Sequence, residues 1–194
     1  MEEKAVPARA TTNSGAREEA EEDHSEIERK NIEVVAEAVT HWNAHDLDAL
    51  LELYAPNIVW YNAALEETYR GHNEVRSFLE ELIGGFPDLT FTVDNRFARG
   101  DEVSERWSIR GTHRGTFIGI PPTKKSVHIT GVSSIEMSAG KFVRDNFFFD
   151  SMSAMRQLGI MPALRTIRSP AGRMVLSSIV GVKRLVGVFG RRAE

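Results

Sequence analysis

The chain has 194 residues, 41% of them hydrophobic, enough for one domain of ordinary size with extensions. A net charge of −4 carries no nucleic-acid signature, and the absence of cysteine excludes disulfides, thiol nucleophiles and thiolate metal sites. The N-terminus lacks an apolar signal region and no apolar run reaches membrane-spanning length, so the expected location is cytoplasmic.

The mean charge hides an asymmetry. The first 30 residues are rich in Glu, whereas Leu164 to Arg192 holds seven Arg or Lys and no acid. Residues 1–24 have too little apolar surface to offset ordering entropy and read as a disordered acidic tail. Order is expected from Ser25, which makes 25–162 the folded domain and 163–194 a basic extension. Ser25 and Glu28 have capping-box spacing, and Ile32, Val35, Val39 and Trp42 follow at helical spacing. That helix should end near Asn43 to His45. Asp46 then caps a short second helix carrying Leu47, Leu50, Leu51 and Tyr54, which Pro56-Asn57 breaks. Ile58 to Tyr61 reads as a strand. Asn73 can cap a third helix with Val75, Phe78, Leu79 and Leu82 on one face, stopped by Gly84-Gly85.

The chain then turns to β. Leu89, Phe91, Val93 and Phe97 alternate with Thr90, Thr92, Asp94 and Arg96. After a turn at Gly100-Asp101, Val103, Trp107 and Ile109 alternate with Ser104, Arg106, Ser108 and Arg110. Val127, Ile129, Ile135 and Met137 form a further strand, and Ala139-Gly140 turns again. Phe142 to Phe149 is apolar on both faces, which requires helices on one side and a second subunit on the other. Ser151 to Leu158 closes the domain as a helix ended by Gly159. Helices followed by antiparallel strands give an α+β domain, with helices on one face of a curved sheet and a ligand cavity between.

The connection Gly111 to Lys125, GTHRGTFIGIPPTKK, has the makings of a pocket rim. Its glycines loosen the backbone, Pro121-Pro122 stiffens it, and polar Thr112, His113 and Thr116 stand among apolar Phe117 and Ile120. His113 is a candidate for polarising a carbonyl or moving a proton; the alternative is a loop histidine bonded to backbone. Asp150 follows three phenylalanines, which would raise a carboxyl pKa as a general acid or base requires, or it caps the helix opening at Ser151. Asp145 lies on the opposite strand face from Asp150, so at most one should point inward; Asp145 is either an inward acid or a solvated position beside Arg144. Glu105 falls on the apolar face of its strand, as a cavity acid or as the partner of an arginine such as Arg106, Arg110 or Arg144. Trp60, Asn62, Trp107 and Phe117 are candidate walls for an apolar ligand, or simply core. His24, His41, His45, His72 and His128 show no metal-ligand spacing, so no metal is expected.

In the extension, Val175, Ile179, Val182, Val186 and Phe189 follow helical spacing between basic residues. Residues 173–192 thus suggest peripheral contact with a membrane or partner protein, or an apolar face folded back onto the domain. The other expected partners are a small apolar ligand or substrate and a second copy of the chain through the sheet face, with no nucleic acid.

The order of elements, with GTHRGTFIGIPPTKK, GGFPDLTFTV, and GKFV followed by FDSMSAMRQLGIMP, resembles the SnoaL-like polyketide cyclase or ester cyclase family over about residues 28–162. The resemblance implies a nuclear transport factor 2-like cone of helices and bent, mostly antiparallel sheet around a pocket. It also implies intramolecular aldol ring closure without metal or cofactor, in which an acid–base group removes a proton beside a carbonyl and returns one to the alkoxide. Members carry a carboxylate on the last strand, in a stretch reading roughly histidine-tryptophan-aspartate ahead of a second Asp. Here the stretch is Asp145-Asn146-Phe147 and the second Asp is Asp150. Asn146 stands at the tryptophan, Phe147 at the catalytic aspartate, and Ser133 where some members carry a polar partner. The implied activity is cofactor-free acid–base chemistry on a small apolar carbonyl compound, with Asp150, Asp145 and His113 as the catalytic candidates. The alternative is a non-catalytic binding module of the same fold.

Overall fold

The structure, a computed structural model, describes residues 14–162 together with Ser169, Pro170 and Met174. The expected amphipathic extension, with Val175, Ile179, Val182, Val186 and Phe189, lies outside the described residues, as do residues 1–13 of the expected tail. The elements run α1 (Ser14–Ala44), α2 (Leu47–Glu52), β1 (Tyr54–Asn62), β2 (Glu67–Arg70), α3 (Gly71–Gly85), β3 (Thr90–Arg99), β4 (Glu102–Thr112), β5 (Ser126–Ser138), β6 (Lys141–Phe149) and α4 (Ser151–Gln157). The six strands form one sheet in the order β2-β1-β6-β5-β4-β3, and the helices pack on one face of it. This is the expected α+β cone. All neighbours are antiparallel except β1 and β6, which run parallel.

Several boundaries differ from expectation. Helix α1 begins at Ser14, well before Ser25, so part of the expected disordered tail is helical and Ser25 is no cap. Instead Glu28 accepts the Gly100 N–H at 2.8 Å, and Asn31 donates to the Gly100 carbonyl at 3.1 Å, which ties α1 to the β3–β4 turn. At the other end Asn43 bonds both backbone groups of Phe91, at 2.8 and 2.7 Å, standing in for a neighbouring strand at the β3 edge. Asp46 caps α2 as expected, accepting from Ala49 at 3.1 Å. Pro56-Asn57 does not end a helix but lies inside β1. Helix α3 opens at Gly71 with no side-chain cap, not at Asn73.

The alternation expected along the third strand also breaks. Val93 pairs with Trp107 and Asn95 with Arg106, which leaves Asp94 as an extra residue in the β3 edge. Beyond this bulge every side chain changes face. Phe97 turns outward and is exposed, and Arg96 turns inward, directly opposite Glu105.

The rim loop is fastened to the end of α3. The Gly85 carbonyl accepts the N–H groups of Arg114 and Gly115 at 2.8 and 3.1 Å. The backbones meet so closely that a Cβ on Gly115 would sit 2.1 Å from the Gly84 carbonyl oxygen. A Cβ on Gly84, in contrast, meets nothing within 4 Å. Gly115→Ala should therefore cost about 1–3 kcal/mol by forcing the loop off the helix. Gly84→Ala should raise stability by up to about 1 kcal/mol through helix propensity. Urea unfolding of both variants checks the pair.

Candidate functional site

Between α3, the rim loop, α4 and the inner face of the sheet lies a cavity of about 100 Å³. Its walls are almost wholly apolar. Phe78 and Leu82 come from α3, Trp107 and Ile109 from β4, and Phe147 and Phe149 from β6. The expected wall residues Trp60, Asn62, Trp107 and Phe117 all line it. Asn62 has a structural duty as well, since its Oδ1 accepts the Ala64 and Leu65 N–H groups and turns the chain after β1. Gly131 lets Trp107 lie flat on β5, where a Cβ would stand 2.3 Å from the indole. Trp107 stacks on Phe147 with ring centroids 4.2 Å apart, and its Nε1 donates to Ser133 Oγ at 3.0 Å.

His113 is the titratable group in this wall. It is completely shielded from solvent and stacked on Phe86 at 5.0 Å. Its backbone is locked across the rim: its N–H donates to the Lys125 carbonyl, and its carbonyl accepts from Lys124. The Thr123 N–H donates to His113 Nδ1 at 3.2 Å. Thr123 Oγ1 stands 3.2 Å from the same nitrogen; with the N–H donating to it, Nδ1 carries no proton and the neutral ring has its hydrogen on Nε2. Burial lowers the His113 pKa and keeps the ring neutral. Nε2 has no hydrogen-bond partner in the protein. A donor is thus held ready in the wall of an apolar cavity.

The carboxylates lie elsewhere. Asp145, Glu105, Ser133, Tyr54 and Trp42 surround a separate chamber of about 20 Å³ under α1, with Phe147 and Trp42 common to both spaces. Asp145 and Glu105 are both buried. Arg96 contacts Glu105 through Nε at 2.9 Å and Nη2 at 2.8 Å, so its partner is none of Arg106, Arg110 or Arg144. Burial raises the Glu105 pKa, and Arg96 pulls it back. Asp145 has no such cation. Burial, and then the Glu105 charge, push its pKa up to about 8, so it keeps its proton at neutral pH. Trp60 and Ser133 lean against that rise. Even so, Asp145 Oδ1 and Trp60 Nε1 each end without a hydrogen-bond partner of normal geometry. Asp145 is therefore not a solvated position beside Arg144. Asp150 is exposed and outside both spaces: it caps α4, accepting from Ser153 at 2.9 Å, with Arg156 at 3.9 Å. Cavity and carboxyl pair are side by side, not together, and no carboxylate lines the larger space.

The family model for SnoaL-like polyketide cyclases matches residues 32–158. The chain belongs to the SnoaL-like polyketide cyclase family. Among solved structures it is similar to one from Jannaschia sp. CCS1 described as SnoaL-like polyketide cyclase. That match has 26% identity and a TM-score of 0.65, over 70% of this chain and 96% of the other. AclR from Streptomyces galilaeus is 26% identical with a TM-score of 0.62, over 70% of this chain and 88% of its own. IdmH from Streptomyces antibioticus is 27% identical with a TM-score of 0.59, over 66% and 98%. No curated protein matches. Among the described residues of this SnoaL-like chain, no group of three or more His, Cys, Asp or Glu could hold a metal ion, and no helix is long and apolar enough to cross a membrane.

The SnoaL-like core carries its acid pair at a cost that depends on pH. An acid whose pKa is raised on folding holds a proton that the unfolded chain gives up. Stability is then intact below the ordinary value of 3.8, falls as pH rises towards about 8, and levels off above. Asp145→Asn should flatten that fall, so its advantage over the wild type grows across the window; urea midpoints near both ends of it check this. Arg96→Met leaves Glu105 buried without a cation and should cost about 3–5 kcal/mol, much of it regained by adding Glu105→Gln. Chemical denaturation of the single and double variants measures the difference.

Proposed function

We propose that this SnoaL-like protein takes a flat, apolar carbonyl compound into the larger cavity and polarises its carbonyl with His113. The observation that carries the reading is the unpartnered Nε2 of a neutral, locked imidazole in a wall whose other polar side chains are Asn62 and Ser151. Any ligand filling the cavity gains most by bringing one acceptor to that donor, because a buried polar group without a partner is costly. A hydrogen bond to the carbonyl oxygen favours the enolate, whose negative charge develops there. With no carboxylate in the lining, the α-proton leaves to a water molecule admitted with the ligand, and this is the entry to cofactor-free enolisation and aldol-type ring closure; only the ring closure is in the family's name. Asp145, as a neutral acid, is no base in its resting state, and Asp150 is left to its cap.

A second reading, a binding module without catalysis, is favoured by one observation: neither Asp145 nor Glu105 lines the larger cavity, so no carboxylate base faces a ligand there. Both readings keep the homodimer through the outer sheet face, where Phe97, Val132 and Phe148 stand exposed. They also keep the membrane or partner contact through 173–192.

Acetophenone is a suitable probe for both. On binding, its carbonyl stretch should fall below the value in an apolar solvent. In His113→Phe the shift should vanish and binding should weaken by about tenfold. An identical stretch in both proteins would remove His113 from the ligand site. Exchange of the methyl protons for deuterium in heavy water separates the readings: catalysed exchange, lost in His113→Phe, supports the enzyme, and tight binding without exchange supports the module.

A further inference from the structure

The inner chamber is built in a way that packing alone does not require. Two carboxyl groups are buried, the one guanidinium is spent on Glu105, and the uncompensated Asp145 has an oxygen with no partner. Ser133 Oγ accepts from Trp107, which leaves its own hydrogen to turn towards Asp145 beside it. The Tyr54 hydroxyl is in the same wall, and Trp60 Nε1, on the residue paired with Asp145 across β1 and β6, is a donor without an acceptor. Buried polar groups are satisfied by protein or by ordered water, and about 15 Å³ suffices for one water molecule. The chamber offers about 20 Å³. An apolar filling would leave Asp145 Oδ1 without a partner, and anything larger does not fit.

We propose that the inner chamber is a second binding site, which holds one neutral hydrogen-bonding molecule of water's size on Asp145, and that the Phe147 ring is the partition closing it from the ligand cavity. Phe147 lines both spaces and is pinned between them by Trp107 at 4.2 Å and Trp60 at 5.6 Å. The ring therefore sets the length of the ligand and keeps its far end away from the Asp145 acid. Only this second half rests on the larger cavity being the ligand site.

The first half is tested without any ligand. A high-resolution crystal structure of the full chain should show an ordered water within hydrogen-bond distance of Asp145 Oδ1. A dry chamber, or a direct bond from Trp60 Nε1 that satisfies Asp145, overturns it. The second half is tested with acetophenone and its two-ring analogue 2-acetylnaphthalene. In Phe147→Ala the ratio of affinities should move towards the two-ring ketone by about tenfold, the worth of extra apolar burial. Adding Asp145→Leu to that variant should leave the ratio in place while removing the chamber water. An unchanged ratio with the water present overturns the partition alone. Phe147→Leu, which keeps more of the packing, gives the same comparison if the alanine variant does not fold. The carbonyl shift at His113 is read separately, so failure of the proposed function and failure of this site are distinguishable.

Discussion

One cation decides the electrostatics of this core. Arg96 reaches Glu105 with two nitrogens, and Glu105 shares its surroundings with buried Val35 and Phe91. A guanidinium can be buried there because it is matched by a carboxylate and gives a further contact, at 3.4 Å, to the Val35 carbonyl. With Glu105 ionised and paired, a second negative charge on Asp145 would have no counter-ion, and burial already disfavours it. Asp145 therefore stays neutral because Arg96 is committed elsewhere. The same pair joins β3 to β4 beneath α1, so it serves both the charge pattern and the packing there, alongside the bonds from Glu28, Asn31 and Asn43.

That contact was hidden in the sequence for a definite reason. Strict alternation places Arg96 with Thr92 and Asp94 on the outer face and Phe97 with Phe91 on the inner one. The single extra residue at Asp94 reverses both assignments. A bulge leaves no compositional mark in so regular a strand. On β4, with no bulge, alternation correctly put Glu105, Trp107 and Ile109 on one face. The shift between Glu136 and Met137 similarly puts Val143 out of step and brings both Phe142 and Asp145 to the inside. Asp46 and Asp150 were legible as caps, whereas Ser25 and Asn73 are not caps, because their helices start earlier in the chain. The parallel pairing of β1 with β6, and the short β2 edge, depend on contacts far apart in the chain and left no local signal.

The rim was more legible than the strands because its chemistry is concentrated. Gly115 in GTHRGTFIG meets the end of α3 backbone to backbone, and that close approach brings Phe117 over the cavity and His113 into its wall. What the sequence could not supply was the tautomer. It follows from one backbone N–H, that of Thr123, turned onto Nδ1 by the two bonds that His113 makes with Lys124 and Lys125. A loop histidine bonded to backbone and a pocket histidine were set against each other as alternatives. The structure makes them one arrangement, since the backbone bond on Nδ1 is what leaves a hydrogen on Nε2.

Position 147 joins the two halves of the site. The resemblance puts a carboxylate there; this chain has a phenyl ring, and its inward carboxyl is one step back along the same face, at Asp145. Cross-strand register explains why so small a shift matters. Phe147 is level with Ser133 and Asn62, at the boundary of both spaces, whereas Asp145 is level with Ile135 and Trp60, beneath α1. A carboxyl at 147 would border the ligand directly and share its solvation. At 145 the carboxyl is walled off by the Phe147 ring, is buried, meets Glu105, and holds its proton. With a ring at 147 and the carboxyl at 145, two properties go together: no carboxylate lines the larger cavity, and the Asp145 acid is neutral.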